Sequence, residues 1–143
     1  MTPDQVYLIR KSFAELSRHD HVAALVFYRR LFEIDPSLRQ LFTADIEEQS
    51  RKLLDMLAAL IAMLERPVGL DMELRAMGAR HRDYGVKDEH YATVGQALVD
   101  MLGEVLDKRF TPEVRTAWVA LYGAVEALMK KGAAEAETLA LSQ

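Results

Sequence analysis

Three dipeptides punctuate this chain: Thr2-Pro3, Asp35-Pro36 and Thr111-Pro112. In each, a side chain able to accept a backbone N–H stands directly before a proline, a residue that suits the first turn of a helix and little else within one. Behind the first pair, Val6, Ile9, Phe13 and Leu16 recur at helical spacing, and similar stripes follow along the whole chain, while strand alternation is absent. The spacing predicts a first helix from Pro3, a second over about His21–Phe32 and a short helical turn over Pro36–Leu41. Longer helices follow at roughly Glu47–Glu65 before Pro67, Gly69–Arg82 before Gly85, Asp88–Leu106, and Pro112–Lys131 before Gly132. The expected fold class is all-α with about six or seven helices, the tail "AAEAETLALSQ" either extending the last helix or fraying.

Composition narrows what such a bundle can do. The 143 residues, half of them hydrophobic, suit a single domain with one core. The 18 basic and 22 acidic side chains give a net charge of −4, and the basic ones are scattered, so no footprint for nucleic acid is expected. With no cysteine there is no disulfide, no thiolate metal site and no thiol nucleophile, a composition suited to the cytoplasm. The longest apolar run, Met56–Leu64, falls far short of the roughly 20 residues of a membrane span, and the N-terminus has no signal-peptide pattern. A soluble cytoplasmic protein is expected.

Three polar residues interrupt apolar stripes. Tyr28 lies between Ala24 or Leu25 and Leu31 or Phe32; Gln49 precedes Leu53, Met56 and Leu60; His81 closes the stripe of Leu70, Leu74 and Met77. A buried polar group without a partner costs about 1–3 kcal/mol, so three facing one core suggest something polar inside it. Each also has a plainer explanation: a tyrosine or histidine satisfied by a backbone carbonyl, and a glutamine exposed near a helix start. His19 and His21 sit in a polar corner between helices, and His90 beside Asp88 and Glu89 reads as solvated surface. A lone histidine cannot assemble the three or four ligands of a zinc site. Haem needs one, because the porphyrin brings four nitrogens of its own.

Several segments resemble a known family. "VFYRRLFEIDPSLRQLF", "QSRKLLDML", "RHRDYGVKDEHYATVG" and "AWVALYG" occur in the order and spacing of bacterial single-domain globins of the flavohaemoglobin lineage, particularly the Hell's Gate globin type, and the likeness runs from about Val6 to Met129. It implies a globin fold, a three-over-three helical sandwich, with haem b as cofactor. It further implies His81 as the iron ligand and Tyr91 as the tyrosine behind it. On the distal side it places Tyr28 and Gln49 as hydrogen-bond donors and Leu53 crowding the ligand. Phe42, Leu57, Val86, Val94 and Leu98 are the expected haem-lining residues, Lys52 a partner for a haem propionate, and Tyr122 a core tyrosine. Arg80 and Lys52 are read in the alternative as solvated.

The family's proximal glutamate is not kept: its position falls on Ala133, with Glu126 and Glu135 the nearest acids. The resemblance implies reversible binding of dioxygen, nitric oxide and carbon monoxide at a five-coordinate ferrous iron, as a carrier, store or buffer. The alternative is a nitric oxide dioxygenase; since no flavin- or nicotinamide-binding segment follows in this sequence, a separate reductase would supply its electrons. A gas sensor or a haem-free helical scaffold is the third class, and it leaves His81, Tyr28 and Gln49 unexplained.

Overall fold

The computed structural model describes residues 1–42 and 45–142. Gln143, the end of the tail, lies outside the described residues. Six α-helices run Pro3–Ser17 (α1), Asp20–Ile34 (α2), Ile46–Ala62 (α3), Pro67–Asp83 (α4), Asp88–Leu106 (α5) and Pro112–Leu141 (α6), with short 3-10 turns at Pro36–Leu41 and Asp107–Arg109. There is no strand among the described residues. None of the helices described is long and apolar enough to cross a membrane.

The three proline starts work as expected. Thr2 accepts from the Gln5 amide while the Gln5 side chain accepts from the Thr2 amide, Asp35 accepts from Ser37, and Thr111 accepts from Val114. Two boundaries differ from expectation. Pro67 is itself a first-turn residue of α4, so the helix begins two residues before Gly69, and the preceding helix stops at Ala62. Gly132 does not end α6, which runs on to Leu141 and takes in most of the tail. The reason is packing. A Cβ on Gly132 would lie 2.5 Å from the Arg75 carbonyl carbon, so this glycine serves a close approach of α4 rather than a helix end.

The closest helix contacts are α4 on α6, α2 on α5 and α1 on α6, with α3 lying on α2. Ile9, Leu16, Leu31, Leu74, Met101, Leu102 and Trp118 are the largest fully buried side chains of one continuous core. Its one buried indole is satisfied: Trp118 Nε1 donates to Ser12 Oγ at 2.8 Å, and the hydroxyl donates in turn to the Leu8 carbonyl at 2.7 Å. At the rim, Arg30 pairs with Asp100 at 2.8 Å and ties α2 to α5.

Candidate functional site

The C-terminal end of α4 is shaped by Gly85. At φ 94° it takes a conformation open to glycine, and the chain turns back so that Val86 N–H donates to the His81 carbonyl and Gly85 N–H to that of Arg82, both at 3.0 Å. This arrangement returns Val86 to the turn that carries His81. Leu74 and Met77, two turns and one turn earlier, are buried, and His81 is half-buried at the end of their stripe. The imidazole Nδ1 lies 2.7 Å from the Met77 carbonyl oxygen. A carbonyl only accepts, so Nδ1 carries the proton and Nε2 keeps its lone pair. The partner of this ring nitrogen is thus a backbone carbonyl and not Tyr91.

On α2, Tyr28 is 5% exposed within an aromatic nest. Its ring stands edge-on to Phe27 and Phe42 at 5.1 and 5.5 Å and stacks on Phe32 at 6.1 Å. Burial pushes its hydroxyl up to about 12, which keeps it a neutral donor. The hydroxyl donates to the backbone carbonyl of Gln49 in the first turn of α3, at 3.1 Å. Tyr28 and Gln49, twenty-one residues apart in sequence, thus meet, through the Gln49 main chain. Leu53 is half-buried and Leu57 buried on α3, whereas Lys52 points outward, 3.8 Å from Glu48. Phe32 was not among the expected site residues. Its i, i+4 relation to Tyr28 was the available signal, and the Arg39 guanidinium lies over its ring at 5.2 Å.

α5 brings Tyr91 and Leu98, both buried, and half-buried Val94. No hydrogen bond joins Tyr91 to His81 among the described residues, since the imidazole is turned to Met77. Tyr91 instead offers its carbonyl to the Tyr122 hydroxyl at 2.5 Å, and the Tyr122 ring lies where a Cβ on Gly95 would sit. Burial and the Glu126 carboxylate both raise the Tyr91 and Tyr122 hydroxyls, with Asp88 adding to the effect at Tyr91. Lys130 stands over the Tyr91 ring at 5.8 Å and 3.4 Å from Glu126. Glu135 is engaged elsewhere, with Arg75 at 3.0 Å. Of the two acids flagged for the proximal side, the one near Tyr91 is therefore Glu126. Arg80 is exposed and pairs with Glu73, and His90 accepts the Lys87 amide at 2.9 Å, a capping role rather than free surface.

The donor set tests which cofactor suits these residues. Among the described residues no three His, Cys, Asp or Glu side chains gather as a metal would require. One imidazole with a fixed proton and a free Nε2, at the edge of an apolar core, suits a group that brings its own equatorial ligands.

The helical sandwich and its single-imidazole site define a class, and the sequence bears it out: the chain belongs to the globin family, whose profile matches residues 25–129. Globins bind haem. Neuroglobin of Tetraodon nigroviridis is 30% identical over 87% of each chain. The flavohaemoproteins of Rhizobium meliloti and Bordetella pertussis are 29% and 30% identical over 81% and 90% of this chain, which spans only 30% and 33% of their lengths. Among solved structures, an engineered carbene transferase described as a nitric oxide dioxygenase of Rhodothermus marinus superposes with a TM-score of 0.86 at 29% identity, covering 100% of this chain and 99% of that one.

Proposed function

We propose that the chain holds haem b through His81 Nε2 and binds dioxygen reversibly, with nitric oxide and carbon monoxide as further ligands, in the manner of a single-domain globin of the flavohaemoglobin lineage and of the Hell's Gate type. The observation that carries this reading is the imidazole whose Nδ1 is spent on Met77, so that Nε2 alone is offered. When bound, haem supplies a ferrous iron that takes up diatomic gases. The chain's own residues set the rest. The Met77 carbonyl orients the ring and makes Nε2 a better electron donor. Phe42, Leu57, Val86, Val94 and Leu98 exclude water from the porphyrin faces, and Lys52, held only loosely by Glu48, is free to turn toward a propionate.

Tyr28 has one proton to give. To donate to a gas molecule its hydroxyl turns away from the Gln49 carbonyl, which the helix already uses for its own N–H four residues on. The exchange therefore costs about one neutral hydrogen bond, on the order of 1 kcal/mol. Gln49 contributes its carboxamide N–H, and Leu53, one turn later, narrows the space beside both. Tyr91, with Glu126 nearby, makes no hydrogen bond to His81, so no continuous chain runs from carboxylate to imidazole among the described residues. That favours binding over chemistry that draws on electron push from His81.

Nitric oxide dioxygenation with electrons from a separate reductase is the second reading, favoured by the flavohaemoprotein relatives and the likeness to the R. marinus protein. The test is a visible spectrum of the purified protein and of His81→Ala. Wild type should show haem at one per chain, five-coordinate when ferrous and free of gas; His81→Ala should lose stoichiometric binding while staying helical. An unchanged Soret band in that variant would sink the assignment. Sustained nitrate formation from nitric oxide with an added reductase would move the function to the second reading.

A further inference from the structure

α4 and α6 run antiparallel and meet at two glycines. A Cβ on Gly78 would lie 2.5 Å from the carbonyl carbon and 2.7 Å from the Cα of Met129; one on Gly132 would lie 2.5 Å and 2.6 Å from the same atoms of Arg75. Each glycine thus abuts the other helix's main chain. Helices with ordinary side chains at their crossing stand 8–10 Å apart, and contact of backbone with backbone requires less. Neither neighbour can swing aside, because backbone and not a flexible side chain lies in the way. Beside the crossing, Arg75 of α4 bonds Glu135 of α6 at 3.0 Å. His81 follows Gly78 by three residues, on the same side of α4.

We propose that the Gly78/Gly132 crossing is the positioning device for His81: it fixes how far α4 stands from α6 and so where the imidazole is presented. The proposal rests on His81 being the iron ligand. Adding one methyl at either glycine requires the helices to part by about 1.5 Å or more before ordinary contact distances to the facing carbonyl return, and α4 carries His81 with it. In a close-packed interior such a shift is not absorbed locally. Gly123, on α6 with nothing within 4 Å of its added Cβ, provides the matched control.

The experiment compares haem-loaded wild type, Gly78→Ala, Gly132→Ala and Gly123→Ala. The readout is the iron–histidine stretching band of the ferrous gas-free form in resonance Raman, with carbon monoxide association rates alongside. Both crossing variants should move the band and change the association rate severalfold, while Gly123→Ala leaves both where wild type has them. Arg75→Gln loosens the same crossing without adding an atom, so it keeps the test decisive if a glycine variant fails to fold; its band should move by less. An unmoved band in every crossing variant that folds, Arg75→Gln included, overturns the proposal. Absence of any iron–histidine band in wild type instead refutes the assignment of His81, a separate outcome.

Discussion

Replacing Tyr28 by Phe removes one hydroxyl from an otherwise unchanged aromatic nest. On the proposed function the hydroxyl has two competing uses: the Gln49 carbonyl, 3.1 Å away, and the bound ligand. A hydrogen bond to a partly charged acceptor contributes about 1.5–3 kcal/mol, and the neutral bond forfeited to make it about 1 kcal/mol. The net contribution to dioxygen affinity is then roughly 0.5–2 kcal/mol, so Tyr28→Phe should raise the dissociation constant by about 2- to 30-fold. Without the competition with Gln49 the expected loss would be larger, which makes the magnitude itself informative. Stopped-flow dioxygen release together with equilibrium titration supplies the measurement. Carbon monoxide is the control, because it draws far less charge onto its outer atom and should respond weakly. Equal weakening for both gases would show altered packing around Phe32 and Phe42 instead of a lost donor. An unchanged dioxygen constant would remove Tyr28 from the site.

Two further outcomes concern stability. Ser12→Ala should destabilise the fold by about 1–3 kcal/mol in urea unfolding, since it leaves the buried Trp118 N–H without its acceptor; adding Trp118→Phe should recover part of that loss, and strict additivity would contradict the bond's role. Alkaline pH should act through Tyr28, whose hydroxyl is raised from 10 to about 12 by burial. Below pH 10 both folded and unfolded chains hold the proton and the contribution is fully present. From pH 10 to 12 the unfolded chain releases it first, so stability falls as pH rises through that window, and less steeply in Tyr28→Phe. Identical pH profiles for the two proteins would contradict the buried placement.

What was legible in the sequence and what was not divides along physical lines. Helix starts were, because a cap and a proline act within four residues: Thr2, Asp35 and Thr111 all cap as expected. The half-buried His81 at the end of a buried stripe was legible for the same reason, since i, i+4 spacing is local geometry. Gly132 was misread because a glycine at a helix end and one at a helix crossing look alike until the second helix is in place. Pro67 was read as a stop when it is a start, the ambiguity that any proline between two helices carries. Tyr28 and Gln49 were expected as side-chain donors to a ligand, yet the Tyr28 hydroxyl finds the Gln49 main chain, which every residue possesses and no sequence pattern marks. Asp107, at φ 51°, occupies a conformation that favours glycine, with nothing nearby in sequence to announce it.

The same division explains why the acid near Tyr91 could not be chosen beforehand. Glu126 and Glu135 both lie on α6, nine residues apart and so on opposite faces, and only the packing of α6 against α4 and α5 decides which one meets the tyrosine. That packing is tightest at Gly78 and Gly132 on one side and where Tyr122 is seated on Gly95 on the other. Glu135 is drawn to Arg75 next to the glycine crossing, and Glu126 is left facing Tyr91 one turn beyond Tyr122. The charge near Tyr91 therefore follows from where three glycines let helices and a ring approach. A change at any of them would be expected to alter the charge near Tyr91 without touching an ionisable residue.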